Sequence, residues 1–356
     1  MMNKKYLEIF KEVIDKIDKS EDLNKKVLLI DGLNLYLRNF NANPTMNLNG
    51  VHVGGISGSL HSIAYTIRII NPARCIVVFD GKGGSLRRRK IYPEYKKGKK
   101  PSTRVFRKEI FLDYEGEMAS MRRQMRRFLE YIKFLPVTPV SYENVEADDI
   151  IAYISTNVLD DHDIIICSTD KDFIQLVNNR ISVWNPVRKV LYTPNSVYRD
   201  YNIPAHNFLL YRVIDGDKSD NIPGVKGIGL KTIHKYFPIL LSENDISIDD
   251  LLCFASLNEN GAAVYKKIIK HKDTLIKNKD LMQLGDVDIS GTSKLLISKK
   301  ILSDPIYELS KIKLQTLFLE DGLNVVFSNF NDWLKKSFGY LDVYAKIFNR
   351  NLNERI

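Results

Sequence analysis

The sequence predicts an α/β fold built on a parallel sheet, and three observations carry that prediction. Three short apolar runs, KVLLID at 26–31, ARCIVVFDG at 73–81 and DIIICSTD at 163–170, have the length and composition of buried strands. Stretches with helical spacing separate them, the pattern of βαβ units. Each run also closes on an aspartate: Asp31, Asp80 or Asp170. In such sheets ligands gather where the carboxyl ends of the strands converge. One strand-terminal aspartate ordinarily makes a turn or a helix cap. Three with the same placement, joined by the acid run after Val145, point to a site.

Residues 4–19 place Tyr6 or Leu7, Ile9 or Phe10, Val13, Ile14 and Ile17 at helical spacing, so residues 1–24 are expected to form an amphipathic helical extension. The 356 residues can bury a substantial core. No apolar run reaches the roughly 18 residues a membrane span needs, and no secretory leader opens the chain, so a cytoplasmic protein with no membrane partner is expected. Cys75, Cys167 and Cys253 are odd in number and widely spaced, which predicts buried free thiols and excludes a disulfide framework or a zinc site.

The formal charge is +10, and it is unevenly placed. Residues 82–127 hold 16 Lys and Arg against 5 Asp and Glu, so this segment carries the whole excess. It runs through LRRRKIYPEYKKGKKPSTR and returns in the helical-looking EGEMASMRRQMRRFLEYIKF. A charge run is commonly a solvated helix face. Here it is internal, follows Asp80 closely and interleaves Tyr92 and Tyr95 with the bases, a texture suited to phosphate contacts and base stacking.

The acids form the densest feature. VEADD supplies Glu146, Asp148 and Asp149, STDKDF adds Asp170 and Asp172, and GDKSD adds Asp217 and Asp220 to Asp31 and Asp80. Carboxylates brought together repel and resist ionisation unless cations intervene. Oxygen donors without paired His or Cys favour magnesium, with manganese able to substitute, over zinc. Two such ions suit phosphodiester hydrolysis. After Asp220 comes IPGVKGIGLKT, residues 222–232, expected as helix, glycine hairpin, helix. Its Gly224, Gly227 and Gly229 would allow a phosphate close to the backbone, with Lys226, Lys231 and Thr232 beside it.

Together IDG at 30–32, FDG at 79–81, VEADD at 145–149, STDKDF at 169–173 and GDKSDNIPGVKGIGLKT at 216–232 resemble the flap endonuclease, or 5′→3′ exonuclease, family, in its stand-alone form similar to the RNase H proteins of tailed phages. The resemblance implies a parallel-sheet nuclease core of the PIN and flap-endonuclease kind at 25–215, with residues 82–127 as a helical arch. It implies a helix-hairpin-helix subdomain with following helices at 216–304 and a helical tail at 305–356. Asp31, Asp80, Glu146 and Asp148 would serve a first metal, and Asp148, Asp170, Asp172 and Asp220 a second, with Asp149 and Asp217 adjoining. Lys96 matches the catalytic lysine on the scissile phosphate, Tyr95 a ring that stacks on a nucleotide, and Arg88 another arch base. Lys99 stands where the family often has arginine. A potassium ion is implied at the hairpin.

The expected activity is that of a magnesium-dependent 5′ nuclease of replication and repair, acting on branched or nicked duplex DNA with a 5′ single-stranded end, RNA-primed strands included. A replication clamp or single-strand-binding protein is the implied partner, and the cytoplasm, a host's if the chain is phage-encoded, the place of action. The rival readings are a PIN-like ribonuclease and a structure-specific DNA-binding protein with weak catalysis.

Overall fold

The computed structural model describes residues 24–98, 107–327 and 329–354. The expected leader helix at 4–19 and residues 99–106 of the expected arch, Lys99 among them, lie outside the described residues. Six strands form one sheet: β1 (Lys26–Asp31), β2 (Arg74–Val78), β3 (Thr138–Val140), β4 (Asp163–Cys167), β5 (Ile181–Asn185) and β6 (Val190–Tyr192), in the order β3-β2-β1-β4-β5-β6. All neighbours pair in parallel except β5 with β6. The three strands expected from the apolar runs are β1, β2 and β4, adjacent at the centre and buried on both faces, which is why they read as continuous Val, Ile and Leu. Strand order reverses between β1 and β4, so Asp31 and the loop from Ser168 to Asp172 flank the crevice where such sheets bind ligands.

Both faces are covered. Helices Gly32–Ala42, Gly54–Ile70 and Tyr114–Ile132 bury Leu35, Phe40, Leu60, Ile63, Phe128 and Ile132 against one face. The C-terminal helix Phe330–Asn353 belongs to that same core through Leu334, Phe338 and Leu341, with Arg68 donating to Ser337 at 3.1 Å. The C-terminal helix thus helps to cover this face of the sheet. The other face carries helix Ala147–Tyr153 and most of the chain from Phe173 to Ile301. Of the cysteines, Cys75 and Cys167 are buried as expected. Cys253 is exposed, because its helix Ile248–Leu257 turns Leu251, Leu252 and Ala255 inward instead.

Two local differences matter. The second limb of the arch, Tyr114–Ile132, is free only in part: Gln124, Phe128, Tyr131 and Ile132 are buried, while Arg122, Arg123 and Arg126 stay on its outer side. The hairpin expected at 222–232 is loop as far as Gly229. Helix Phe208–Asp215 precedes it, and Leu230–Tyr236 follows. Ile222, Val225 and Ile228 anchor the loop, leaving Lys226, Gly227 and Lys231 outward.

Candidate active site

Asp31 caps helix Gly32–Ala42, its Oδ1 accepting from the Asn34 backbone N–H at 3.0 Å and its Oδ2 from the Ser168 hydroxyl at 3.1 Å. Asp80 reaches across to the first turn of helix Ala147–Tyr153 and accepts from the Ala147 N–H at 2.9 Å. Asp170 follows β4 and accepts from the Asp172 N–H at 2.8 Å, which holds these two acids in one tight turn. With Asp148 and Asp220 they line one cleft of about 180 Å³. Six aspartates scattered over about 190 residues of chain therefore share one opening. Among the described residues no His or Cys joins them.

The carboxylates open on the cleft but protein encloses their other sides. Burial raises Asp31 to about 7, with repulsion from Asp170 and Asp80 adding to it. Burial likewise raises Asp172 to about 7, with Asp170 repelling it and Arg212 opposing the shift. Asp80 and Asp170 are pushed up by burial too, Asp170 further by Asp148, Asp217 and Asp220. Such a cluster of hard oxygen donors fits divalent cations such as magnesium, whose charge would reverse these shifts.

The remaining expected ligands are placed differently. Glu146 stands behind the cleft. Burial would raise it, but Arg88 and Lys96 hold it below its ordinary value, Lys96 Nζ lying 2.5 Å from its Oε1. Asp149 spends both oxygens on Arg88, at 2.8 and 3.0 Å. Asp217 accepts through Oδ2 from Arg212 at 2.7 Å, and through Oδ1 from the Ser219 N–H and hydroxyl, both at 2.6 Å. Glu146, Asp148 and Asp149 do bring carboxylate oxygens within 4.8 Å of one another, yet Arg88 sits among them. Glu146, Asp149 and Asp217 thus act on neighbouring side chains and do not line the cleft.

Two of the expected nucleic-acid contacts line the cleft with little exposure. Arg88, expected as an arch base, is 1% exposed, pairs with Glu146, Asp148 and Asp149, and donates through Nε to the Leu281 carbonyl at 2.8 Å. Tyr95, expected to stack on a nucleotide, is 2% exposed, with its hydroxyl 3.2 Å from Asp220 Oδ2 and 3.3 Å from Glu146 Oε1. Both are spent on organising acids. Lys96 lines the cleft beside them and is more exposed: its backbone takes a left-handed φ of 51°, and its N–H donates to the Asp220 carbonyl at 3.0 Å. Asn221 ties the same corner to the Glu94 carbonyl at 2.9 Å. The foot of the arch is therefore stitched to the turn that opens the hairpin.

Gly224 is required there, because a Cβ on it would lie 2.0 Å from the Asp215 carbonyl oxygen. Buried Asn278 holds the loop from behind, donating to the Val213 and Pro223 carbonyls at 3.0 and 2.8 Å. Arg212 joins the acid cluster although the motifs do not show it. It is 7% exposed on its side chain and donates to Asp172 and Asp217, each at 2.7 Å. Its signal was a lone cation inside the mostly apolar helix FLLYRVID, a charge that burial demands be paired.

With this geometry in view, the chain matches the family described as 5′-3′ exonuclease, N-terminal resolvase-like domain, over residues 26–202. The chain belongs to this 5′-3′ exonuclease family. The flap endonuclease Xni of Shewanella woodyi is 29% identical over 259 residues, 72% of this chain and 92% of that protein. The thermostable DNA polymerase I of Thermus aquaticus is 31% identical over 261 residues, 73% of this chain and 28% of the polymerase. The chain thus spans little more than a quarter of that polymerase's length. Among solved structures, the T5 D15 protein co-crystallised with metal ions shares the fold, with a TM-score of 0.59 at 21% identity, covering 83% of this chain and 98% of that one. Membership of the 5′-3′ exonuclease family accounts for the order of the acid motifs along the chain. The Arg88, Tyr95 and Arg212 contacts come from the structure itself.

Proposed function

We propose that this protein is a magnesium-dependent, structure-selective 5′ nuclease that hydrolyses a phosphodiester at or near the 5′ end of flapped, nicked or RNA-primed duplex DNA. One observation carries the reading: six aspartates converge in a cleft whose rim, through Lys96 and Asp220, is tied to the hairpin loop at 222–232. Two relatives support it by what they are. The Shewanella protein is a flap endonuclease, and a T5 flap endonuclease of this fold was crystallised with DNA and metal ions.

Asp31, Asp80, Asp148, Asp170, Asp172 and Asp220 would hold the ions, which supply Lewis acidity to the phosphate and lower the pKa of water. Lys96 places an ammonium at the cleft, where exchanging Glu146 for a phosphate oxygen would stabilise the charge that develops in hydrolysis. Outward Lys226 and Lys231 with the backbone of Gly227 would hold the duplex by its phosphates, which positions without reading sequence. Manganese in place of magnesium, potassium at the hairpin, and a clamp or single-strand-binding protein as partner complete the proposal. A flap substrate labelled at its 5′ end, incubated with and without magnesium, tests it: a short labelled product is expected only with the ion.

A further inference from the structure

Beside the acidic cleft, and sharing Asp170 with it, lies a second cavity of about 360 Å³ with the opposite charge. Arg38, Lys171 and Arg188 contribute three cations to its wall, against the single carboxylate of Asp170. Each comes from a different element. Arg38 stands two turns along the helix that Asp31 caps, Lys171 lies between the two cleft acids Asp170 and Asp172, and Arg188 sits on the exposed turn joining β5 to β6. That turn is built rather than loose. The Asn185 Oδ1 accepts from the N–H groups of Val187 and Arg188 at 3.1 and 3.0 Å, and Lys189 closes it with a left-handed φ of 55°. Arg188 then donates through Nη1 to the Tyr192 hydroxyl at 3.1 Å.

The floor is of another character. Tyr192 and Tyr201, with ring centroids 6.3 Å apart, join Ile174 and Val183 to give an apolar base. Arg38 shows an unmet demand: its Nη1 is buried without a hydrogen-bond partner, and burial lowers its pKa. A buried guanidinium nitrogen with no acceptor costs free energy that an anion would recover. The volume falls within the range of about 300–1,000 Å³ usual for small-ligand sites. Cations on the wall, an apolar base and Asp170 shared with the acid cleft match one nucleotide, its phosphate against the cations and its base against the rings.

We infer that this cavity binds one nucleotide of the substrate's unpaired strand next to the scissile phosphate, its phosphate held by Arg38, Lys171 and Arg188. The inference rests on the nuclease reading for the identity of the strand. Its test is fluorescence anisotropy in EDTA, using an oligothymidylate of about six residues labelled at its 3′ end, with or without a 5′-phosphate, and a blunt duplex with the same label. Arg188→Ala, on an exposed turn, is expected to weaken single-strand binding about tenfold, the size of one charge-assisted phosphate contact. Duplex binding should stay within about twofold, and Arg188→Lys should recover part of the loss. A loss confined to the phosphorylated probe identifies a terminal phosphate, and an equal loss with both probes an internal one. Unchanged single-strand binding in Arg188→Ala, equal losses for single strand and duplex, or a wild-type protein that binds no single strand overturns the inference. Flap cleavage by the wild-type protein with magnesium, run in parallel, separates this outcome from failure of the nuclease reading.

Discussion

Replacing Arg88 by methionine keeps most of the side-chain volume and removes a buried guanidinium that four groups share: the carboxylates of Glu146, Asp148 and Asp149, and the Leu281 carbonyl. Glu146 and Asp149 are 3% and 2% exposed, so water cannot take over from the lost partner. Breaking a buried ion pair from one side costs about 3–5 kcal/mol, because the remaining charge stays buried. Lys96 still neutralises part of Glu146, and Arg87 lies 3.4 Å from Asp149, which places the expected loss near the lower end, about 3 kcal/mol. Urea denaturation in chelator measures it as a shift in midpoint at unchanged slope. Adding Asp149→Asn should return about 1 kcal/mol or more, since one stranded charge is then gone. A loss under about 1 kcal/mol, the value for an exposed arginine, would refute this burial and return Arg88 to the arch surface.

Arg212→Gln should also destabilise the metal-free protein, and magnesium should restore more stability to the variant than to the wild type, because Asp172 then lacks its resident cation; equal magnesium-induced shifts in melting temperature would count against the pairing. In chelator, stability should fall as pH rises between about 5 and 8: Asp31 and Asp172, both raised to about 7, keep protons in the native state that the unfolded chain has already lost, so the unfolding free energy has a negative slope with pH. Magnesium should flatten that slope, and a melting temperature independent of pH without metal would contradict the raised values. Lys96→Ala should slow flap cutting far more than it weakens duplex binding; equal losses would make Lys96 an ordinary phosphate contact.

Much of this was legible in the residues. The strands that position the site announced themselves as apolar runs ending in aspartate, because central parallel strands are buried on both faces and tolerate no polar interruption. The edge strand β3 was not readable: three residues including Pro139 give too short a pattern. The site's acids were legible as a set, and the resemblance already put Asp149 and Asp217 beside the two ligand groups, but the place of Glu146 and the partners of each acid were not legible. Whether an aspartate faces the cleft or spends its oxygens on an arginine depends on partners about 60 residues away for Asp149, and on the fold of a single turn for Asp217. In LRRRK nothing local says that the middle arginine turns inward while its neighbours Arg87 and Arg89 remain less buried. Arg212 was not named either, although a lone cation in a mostly apolar helix is a signal for a buried acidic partner.

The central claim is that the six-aspartate cleft, loaded with divalent ions, cuts DNA at a 5′ end. The most direct measurement follows a flap substrate labelled at its 5′ end, with wild-type protein and Asp170→Asn compared at limiting magnesium. The wild type should release a short labelled fragment only with magnesium, and Asp170→Asn should release little or none. Cleavage by Asp170→Asn at the wild-type rate, or wild-type cleavage that persists in chelator, would contradict the account.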